Sequence, residues 1–211
     1  MSIAEVLRAI GVRQALGVLR KCPREHSLVI AAAAVDAGLD VLEITLDSED
    51  AIGQIHNLVV ARPRAVVGAG TVHSVAEVEQ AANAGVQFIV SPILSEAVIA
   101  RALALGVVPL PGVATPTEMA RAIECGAPAV KFFPAAQLGG PAFVAAVVAP
   151  MRGIKIIPTG GVDLSNARQY LDAGSYAIGI GGSLFTAAAL KAGDTSHIER
   201  SVRELLQVIA R

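Results

Sequence analysis

Short runs of apolar, strand-favouring residues recur along the chain at nearly even spacing. The eight runs cover residues 15–19, 41–44, 65–68, 88–91, 107–110, 129–132, 155–158 and 177–181. Their starts lie about 23 residues apart, which is the length of one strand, one helix and two loops. The pattern therefore predicts a strand–helix unit repeated through the whole chain.

Glycines and capping residues punctuate the segments between these runs. Five helical patterns end on a glycine shortly before the next strand, where a left-handed residue is favoured: Gly38, Gly85, Gly106, Gly126 and Gly174. Helix starts are indicated by Ser74 with Glu77 at capping-box spacing, and by Ser48, Ser95, Thr115-Pro116 and Ser165. This punctuation favours helices between all the strands.

Strands that are apolar on both faces, each followed by a helix, are typical of a closed parallel barrel, because the edge strands of an open sheet would be more polar. We therefore predict a (β/α)8 barrel that forms a single domain over residues 1–211. A helix over residues 3–10 precedes the first strand, and a helix over 195–210 ends the chain with one apolar face.

The composition excludes several classes of protein. With a net charge of −1 and 3% aromatic residues, the chain has little with which to bind nucleic acid. Two uncharged stretches, 132–151 and 173–190, contain prolines or glycines, which favours buried strand–loop–helix units over membrane spans. The two cysteines, Cys22 and Cys125, fit neither a disulfide framework nor the spacing of a metal site. The N-terminal residues do not have the pattern of a secretory signal. We expect a cytoplasmic protein.

Lys131 lies inside an apolar strand, Ala129-Val-Lys-Phe-Phe-Pro134. Burying an ammonium group is costly, and desolvation lowers the pKa of a lysine and so supplies a free amine that attacks carbonyl carbon. Lys131 is therefore a candidate Schiff-base nucleophile; the alternative is a lysine whose head reaches solvent or pairs with a carboxylate. For Lys155, which opens the next strand at the opposite end, a structural role is favoured.

Glu43 is the only glutamate inside an apolar run, Val41-Leu-Glu-Ile-Thr45. Side chains alternate along a strand, so Val41, Glu43 and Thr45 share one face. If this is the inner face, the carboxylate enters the barrel and can move protons. The alternative is a buried ion pair with Lys131 that only orients the strands.

Glycine clusters end three predicted strands. Pro158-Thr-Gly-Gly-Val162 and Ile180-Gly-Gly-Ser-Leu184 leave backbone N–H groups free to close on an anion, and a helix beginning at Ser183 would add its positive end. Barrels hold phosphate at this place, so we predict a phosphate site, the alternative being two plain turns. Val67-Gly-Ala-Gly-Thr-Val72 is not a dinucleotide fingerprint. Its Thr71 is a candidate hydroxyl for a substrate carboxylate, or a turn cap.

Metal chemistry is not predicted. The four histidines are scattered, and only His73 lies near a strand end. A nucleophile elbow, a His-Glu-x-x-His helix and a Walker lysine loop are all missing from the sequence. The candidate chemistry is therefore an amine, a carboxylate and a phosphate cradle, with no metal and no cofactor.

Taken in order, the motifs resemble the 2-keto-3-deoxy-6-phosphogluconate (KDPG) aldolase family, also described as 4-hydroxy-2-oxoglutarate aldolases, which are class I aldolases. The resemblance spans essentially the whole chain. It rests on Leu42-Glu-Ile-Thr-Leu46, Val67-Gly-Ala-Gly-Thr-Val72, Ser91-Pro92, Pro109-Leu-Pro-Gly-Val113, Lys131-Phe-Phe-Pro-Ala135, Pro158-Thr-Gly-Gly-Val162 and Gly179-Ile-Gly-Gly-Ser183.

The resemblance implies a metal-free homotrimeric barrel that cleaves a phosphorylated keto acid to pyruvate and glyceraldehyde 3-phosphate. In this reading Lys131 forms the pyruvyl Schiff base and Glu43 is the general acid/base, acting through a water. The substrate-binding residues that it implies fall into three groups. The carboxylate is held by Thr71, helped by Arg20 and the Pro92 loop; Phe133 packs beside the imine; Gly160, Gly161 and Ser183 take the phosphate, with Thr159, Gly181 and Gly182 beside them.

One position departs from the family pattern. Many members carry an arginine four residues after the glutamate, where this chain has Asp47. Asp47 cannot bind an anion directly, so either Arg20 takes over the contact or the distal part of the substrate differs. A related phosphogalactonate aldolase family has Asn-Ser here, which Asp47-Ser48 approaches, whereas the Pro158-Thr-Gly-Gly stretch favours the gluconate family.

We rank the gluconate aldolase first and its C4-epimeric galactonate counterpart second. Two readings of other classes stay open on the sequence. One is a sugar-phosphate isomerase or epimerase that uses Glu43 as a base without an imine. The other is a sugar-phosphate-binding protein without activity, which would have no use for Lys131 or Glu43.

Overall fold

Strands and helices alternate along the chain in a computed structural model that describes residues 1–210. The strands are Ala15–Leu19 (β1), Val41–Thr45 (β2), Val66–Gly70 (β3), Phe88–Val90 (β4), Val108–Leu110 (β5), Gly112–Val113 (β6), Val130–Phe132 (β7), Ile156–Pro158 (β8) and Ile178–Ile180 (β9). The helices are Ile3–Arg13 (α1), Arg24–Asp36 (α2), Ala51–Ala61 (α3), Val75–Asn83 (α4), Glu96–Ala104 (α5), Pro116–Glu124 (α6), Gly140–Val148 (α7), Ala167–Asp172 (α8), Ala187–Ala192 (α9) and Thr195–Ile209 (α10).

The strands pair in parallel and form a curled sheet, so the fold belongs to the α/β class. Six strands are hydrogen-bonded in the order β5-β4-β3-β2-β1-β9, and three in the order β6-β7-β8. An isolated parallel bridge joins Thr159, after β8, to Gly179 of β9. The eight predicted runs all contain strands, and one further short strand, β6, lies just beyond the fifth run. Pro111, which has no backbone N–H to donate, separates it from β5.

Local capping explains where most helices begin and end. Ser74 and Thr115 each form a full capping box, and Ser95 accepts a hydrogen bond from the N–H of Val98, as predicted. The predicted helix ends are also confirmed, because five glycines adopt positive φ angles there: Gly38, Gly85, Gly106, Gly126 and Gly174. The first helix runs beyond the predicted residue 10, to Arg13.

Two predicted helix starts are wrong. The Oγ of Ser48 instead accepts a hydrogen bond of 2.9 Å from the N–H of Lys21, and α3 begins only at Ala51. Ser165 donates its hydroxyl to Asp163 at 2.6 Å, so that hydroxyl binds a carboxylate instead of a helix terminus. In both cases the serine hydroxyl found a partner outside the predicted helix.

The apolar residues form two clusters, one on each face of the sheet. The larger cluster packs the sheet against the surrounding helices. The smaller one contains inward-facing strand residues such as Val41, Ala129 and Ile157, together with Val6 and Ile10 of α1. Because side chains alternate along strands, Glu43 and Lys131 point to the same inner face as Val41 and Ala129. Among the helices of residues 1–210, none has the length and apolar character that a bilayer crossing requires.

Candidate active site

A cavity of about 740 Å³ opens where the carboxyl ends of the strands meet. This is the end at which α/β barrels carry their chemistry. The sequence-predicted residues that line it are Arg20, Glu43, Thr71, Pro92, Lys131, Phe133, Thr159, Gly160, Gly161, Gly181 and Gly182. The structure thus brings together every predicted site residue except Ser183.

Lys131 lies in the middle of β7, and only 7% of its surface is exposed. Its backbone is fixed by pairing with Gly112 on one side and Ile157 on the other. The Nζ atom lies 4.6 Å from the centre of the Phe133 ring. Burial lowers the pKa of Lys131, an effect that the nearby Glu43 carboxylate opposes and the Arg20 charge supports. The amine is therefore shifted towards its nucleophilic, neutral form.

Glu43 lies in β2 with 1% of its surface exposed. Burial raises the pKa of Glu43 to about 7, although the charges of Lys131 and Arg20 oppose part of that rise. Its Oε2 atom has no hydrogen-bond partner among residues 1–210. Burying such an oxygen without a partner costs free energy, and Glu43 lines the same cavity as Lys131.

The alternative reading of Glu43 as a structural ion-pair partner of Lys131 finds no support in the geometry. None of the ion pairs formed within the described chain includes either residue. Gly70, on the neighbouring strand, makes room for the carboxylate: a Cβ there would lie 2.5 Å from Oε1 of Glu43. The two groups share a cavity and influence each other's pKa without neutralising each other by contact.

Thr71 and Pro92 follow β3 and β4 on the same side of the cavity. Thr71 has a φ of 61°, a left-handed conformation that costs a β-branched residue about 1–3 kcal/mol. Its hydroxyl makes no hydrogen bond in the part of the chain that the structure describes, so the turn-cap alternative is not observed there. The backbone of Pro92 lies close to Gly112. A Cβ at position 112 would collide with that backbone, so the close approach needs a glycine there.

Glycine-rich turns after β8 and β9 line another side of the cavity. Gly160 and Gly161 have φ angles of 92° and 74°, which only glycine adopts readily. At Gly182 an added Cβ would meet no heavy atom within 4 Å, so its backbone borders open space. Bare backbone around such a space is suited to a bulky anion.

The predicted helix start at Ser183 is wrong, whereas its predicted contact with the phosphate stays a prediction. No helix begins there, because residues 182–185 form a turn and α9 starts at Ala187, capped by Thr186. Ser183 is not among the residues that line the cavity, and its hydroxyl donates to the carbonyl oxygen of Val162 at 3.5 Å. The neighbouring Leu184 and Phe185 are buried, which fixes the segment as a turn.

Sequence reasoning missed several residues at the cavity wall. Lys21 follows Arg20 at the end of β1, and its position alone would have identified it as a candidate. His73 was set aside as a lone histidine, yet it lines the cavity as well. Lys191 belongs to α9, and no pattern in the sequence indicates that this short helix faces the site. Of these residues, Lys21 and Lys191 add positive charge to the cavity wall.

Residues 1–210 contain no cluster of three or more histidine, cysteine, aspartate or glutamate side chains able to hold a metal ion. The polar groups in the cavity are an amine, a carboxylate, a guanidinium, hydroxyls and backbone N–H groups.

Comparison with known proteins identifies the class to which this fold and site belong. A family model described as "Aldolase: KDPG and KHG aldolase" matches residues 4–201. The chain belongs to this family, whose members are class I aldolases and hence lyases. The family that the sequence motifs resemble is thereby confirmed.

Individual aldolases are similar to this chain over most of its length. The chain is 36% identical over 186 residues to the 2-dehydro-3-deoxy-phosphogluconate aldolase of Treponema pallidum, covering 88% of both chains. It is 37% identical over 174 residues to the 2-dehydro-3-deoxy-6-phosphogalactonate aldolase of Escherichia coli, covering 82% of this chain and 84% of the other. The KDPG aldolase of Legionella pneumophila, solved with pyruvate captured as a covalent carbinolamine, superposes with a TM-score of 0.89 at 27% identity, covering 97% and 98% of the chains.

Proposed function

We propose that this enzyme cleaves 2-dehydro-3-deoxy-6-phosphogluconate to pyruvate and glyceraldehyde 3-phosphate through a Schiff base on Lys131. The observation that carries the proposal is the buried amine of Lys131 in the same cavity as the buried carboxylate of Glu43, whose Oε2 atom has no hydrogen-bond partner within residues 1–210. Its relatives named phosphogluconate aldolases support the choice of substrate.

The first step uses the amine of Lys131, whose pKa burial lowers, so that its neutral form is favoured. The Nζ lone pair of Lys131 attacks the C2 carbonyl carbon, the carbonyl oxygen takes up protons and leaves as water, and a protonated imine forms. Phe133 lies against this nitrogen, so its ring face can stabilise the iminium charge. The iminium then withdraws the electron pair of the C3–C4 bond.

Glu43 supplies the proton transfers. Its carboxylate takes the proton of the C4 hydroxyl as the C3–C4 bond breaks, which releases the aldehyde and leaves an enamine on Lys131. The same proton returns to C3, and water hydrolyses the resulting imine to pyruvate and free amine. A group that must both accept and return a proton works best with a pKa near neutrality, and burial raises the pKa of Glu43 to about 7.

The distal phosphate is placed in the glycine-lined part of the cavity. Gly160, Gly161 and Gly182 offer backbone without side chains there, and Lys191 lines the same cavity with a positive charge. Thr159 and Gly181 complete that wall. The carboxylate of the keto acid then binds at the other residues, Thr71, Arg20 and the Pro92 loop.

Gly182→Ala tests the phosphate placement. The added methyl group meets no protein atom within 4 Å, so the fold should tolerate it. In the condensation direction we expect the KM for glyceraldehyde 3-phosphate to rise about tenfold, because the methyl group occupies space meant for the phosphate. The KM for pyruvate and for unphosphorylated glyceraldehyde should stay unchanged. An equal rise for both aldehydes would place the phosphate elsewhere.

The C4-epimeric phosphogalactonate is the second candidate substrate. It is favoured by Asp47-Ser48 and by the relative named for that activity, which is as similar to this chain as the gluconate enzymes are. Assaying both synthetic epimers side by side separates the candidates. We expect the higher kcat/KM with the gluconate epimer; a higher value with the galactonate epimer reverses the ranking.

We also propose that the two hydrogen-bonded groups of strands are parts of one closed (β/α)8 barrel, a single domain over residues 1–211. Two observations support closure. The bridge between Thr159 and Gly179 connects β8 to β9. Only Pro111 separates β5 from β6, so these two segments count as one strand and the total becomes eight.

A further inference from the structure

We propose that Asp47 is a positioning residue. It holds the guanidinium group of Arg20 so that the free Nη1–Nη2 edge of Arg20 binds the carboxylate of the keto acid. The inference rests on the proposed function, since it concerns the same cavity. It also explains the departure of this chain from the family pattern, in which an arginine is expected at this position.

The geometry of the ion pair leaves one edge of the guanidinium free. The Nε and Nη2 atoms of Arg20 both approach Oδ2 of Asp47, at 3.0 and 2.8 Å. The Nη1 atom has no hydrogen-bond partner within residues 1–210. Arg20 lines the cavity, and its terminal Nη1–Nη2 edge can bind a carboxylate bidentately, as the Nε–Nη2 edge also can.

Asp47 is itself held in place, which is what a positioning residue requires. It lies two residues after the end of β2, in a loop that is pinned to the loop after β1. The N–H of Lys21 donates to Ser48 at 2.9 Å, and Arg24 pairs with Asp50 at 3.2 Å. Only 26% of the Asp47 side chain is exposed, against 56% for Arg20. The less exposed side chain of Asp47, on the tethered loop, therefore restrains the longer and more exposed Arg20.

The charge of Arg20 acts at the reacting end of the substrate. It lowers the pKa of both Glu43 and Lys131, so the guanidinium lies within electrostatic range of the amine that forms the imine. The substrate carboxylate, C1, is bonded to C2, the carbon that joins this amine. A cation held near Lys131 is therefore placed to bind C1, whereas the glycine turns after β8 and β9 are left for the phosphate.

Pyruvate binding, measured by calorimetry, tests the inference. We expect Asp47→Ala to weaken pyruvate binding about tenfold and to raise the KM for pyruvate with little change in kcat, because Arg20 loses its restraint. Asp47→Asn keeps an acceptor oxygen and should recover most of the affinity. In an Arg20→Ala background the Asp47 substitution should have no further effect. Asp47→Ser serves the same purpose if the alanine variant does not fold.

A matched control is Asp36→Ala. Asp36 also pairs with an arginine, Arg62, at 2.7 Å, but neither residue lines the cavity. This variant should bind pyruvate like the parent enzyme. A general effect of losing any ion pair would appear here too and would overturn the positioning role.

The other outcomes separate this inference from the proposed function. Unchanged or tighter pyruvate binding in Asp47→Ala, an undiminished effect without Arg20, or weakened binding of inorganic phosphate in place of pyruvate overturns the role of Asp47. In those cases a borohydride-trapped pyruvate adduct on Lys131 still leaves the aldolase function intact. Asp47-dependent binding without such an adduct contradicts the aldolase and supports the positioning role. A parent enzyme that does not bind pyruvate contradicts both.

Discussion

Lys131→Met is expected to abolish aldol cleavage, with a loss in kcat of about 10⁴-fold or more. The methionine fills similar space among the same apolar neighbours but carries no amine, so no imine can form and C3–C4 cleavage loses its electron sink. Steady-state release of pyruvate, coupled to its reduction, measures the loss. Burying a neutral thioether should not destabilise the fold, because the ammonium group that burial disfavours is removed.

Lys155→Met is the matched control for this substitution. Lys155 precedes β8, and its Nζ lies 5.7 Å from the ring centre of Tyr176, among residues that do not line the active-site cavity. Its replacement should leave turnover within about twofold of the parent. Residual activity in Lys131→Met that approaches the control would mean that another group carries the reaction.

Glu43→Gln is expected to slow turnover by about 10²–10⁴-fold while imine formation stays largely measurable. The amide keeps the shape of the side chain but cannot accept the C4 hydroxyl proton or return it to C3. Single-turnover trapping with borohydride reports the imine, and steady-state assays report turnover. Equal loss of both would contradict the role assigned to Glu43.

The pH profile of cleavage gives a second test of Glu43. The carboxylate form is the base that takes the C4 hydroxyl proton, and burial raises the pKa of Glu43 to about 7. Cleavage should therefore rise with pH, level off above about pH 7 and fall as the group is protonated below it. Glu43→Gln should lose this rise near neutrality. A profile without an inflection there in the parent would show that Glu43 is not the base.

The spacing of apolar runs and the positions of glycines and capping residues predicted most of the fold, because both depend on interactions between residues that are close in the sequence. Apolar runs located every strand except the two-residue β6, and positive-φ glycines such as Gly38 and Gly126 marked the ends of helices, where only the chain nearby matters. The errors at Ser48 and Ser165 have a different origin. A serine hydroxyl that can cap a helix can equally bond to another loop or to a nearby carboxylate, and three-dimensional contacts decide between them.

The candidate site was predictable where a charge interrupts an apolar strand. Glu43 and Lys131 are anomalies that the sequence itself displays, and alternation along the strand sets the face on which they lie. The contact between Arg20 and Asp47 was not predicted, because it depends on side-chain directions in two loops that are 27 residues apart. Lys191 was missed because its place depends on how a two-turn helix packs.

Some expectations from the sequence stay predictions. The homotrimer, the cytoplasmic location and the roles of the individual site residues belong to this group. The residue assignments are the ones that the variants above test most directly.

Borohydride reduction in the presence of pyruvate, followed by mass spectrometric mapping of the modified peptide, tests the Schiff base on Lys131 most directly. We expect one reduced pyruvyl adduct, on Lys131, in the parent enzyme and in Lys155→Met, and none in Lys131→Met. An unmodified Lys131, or an adduct confined to Lys21, Lys155 or Lys191, would contradict it.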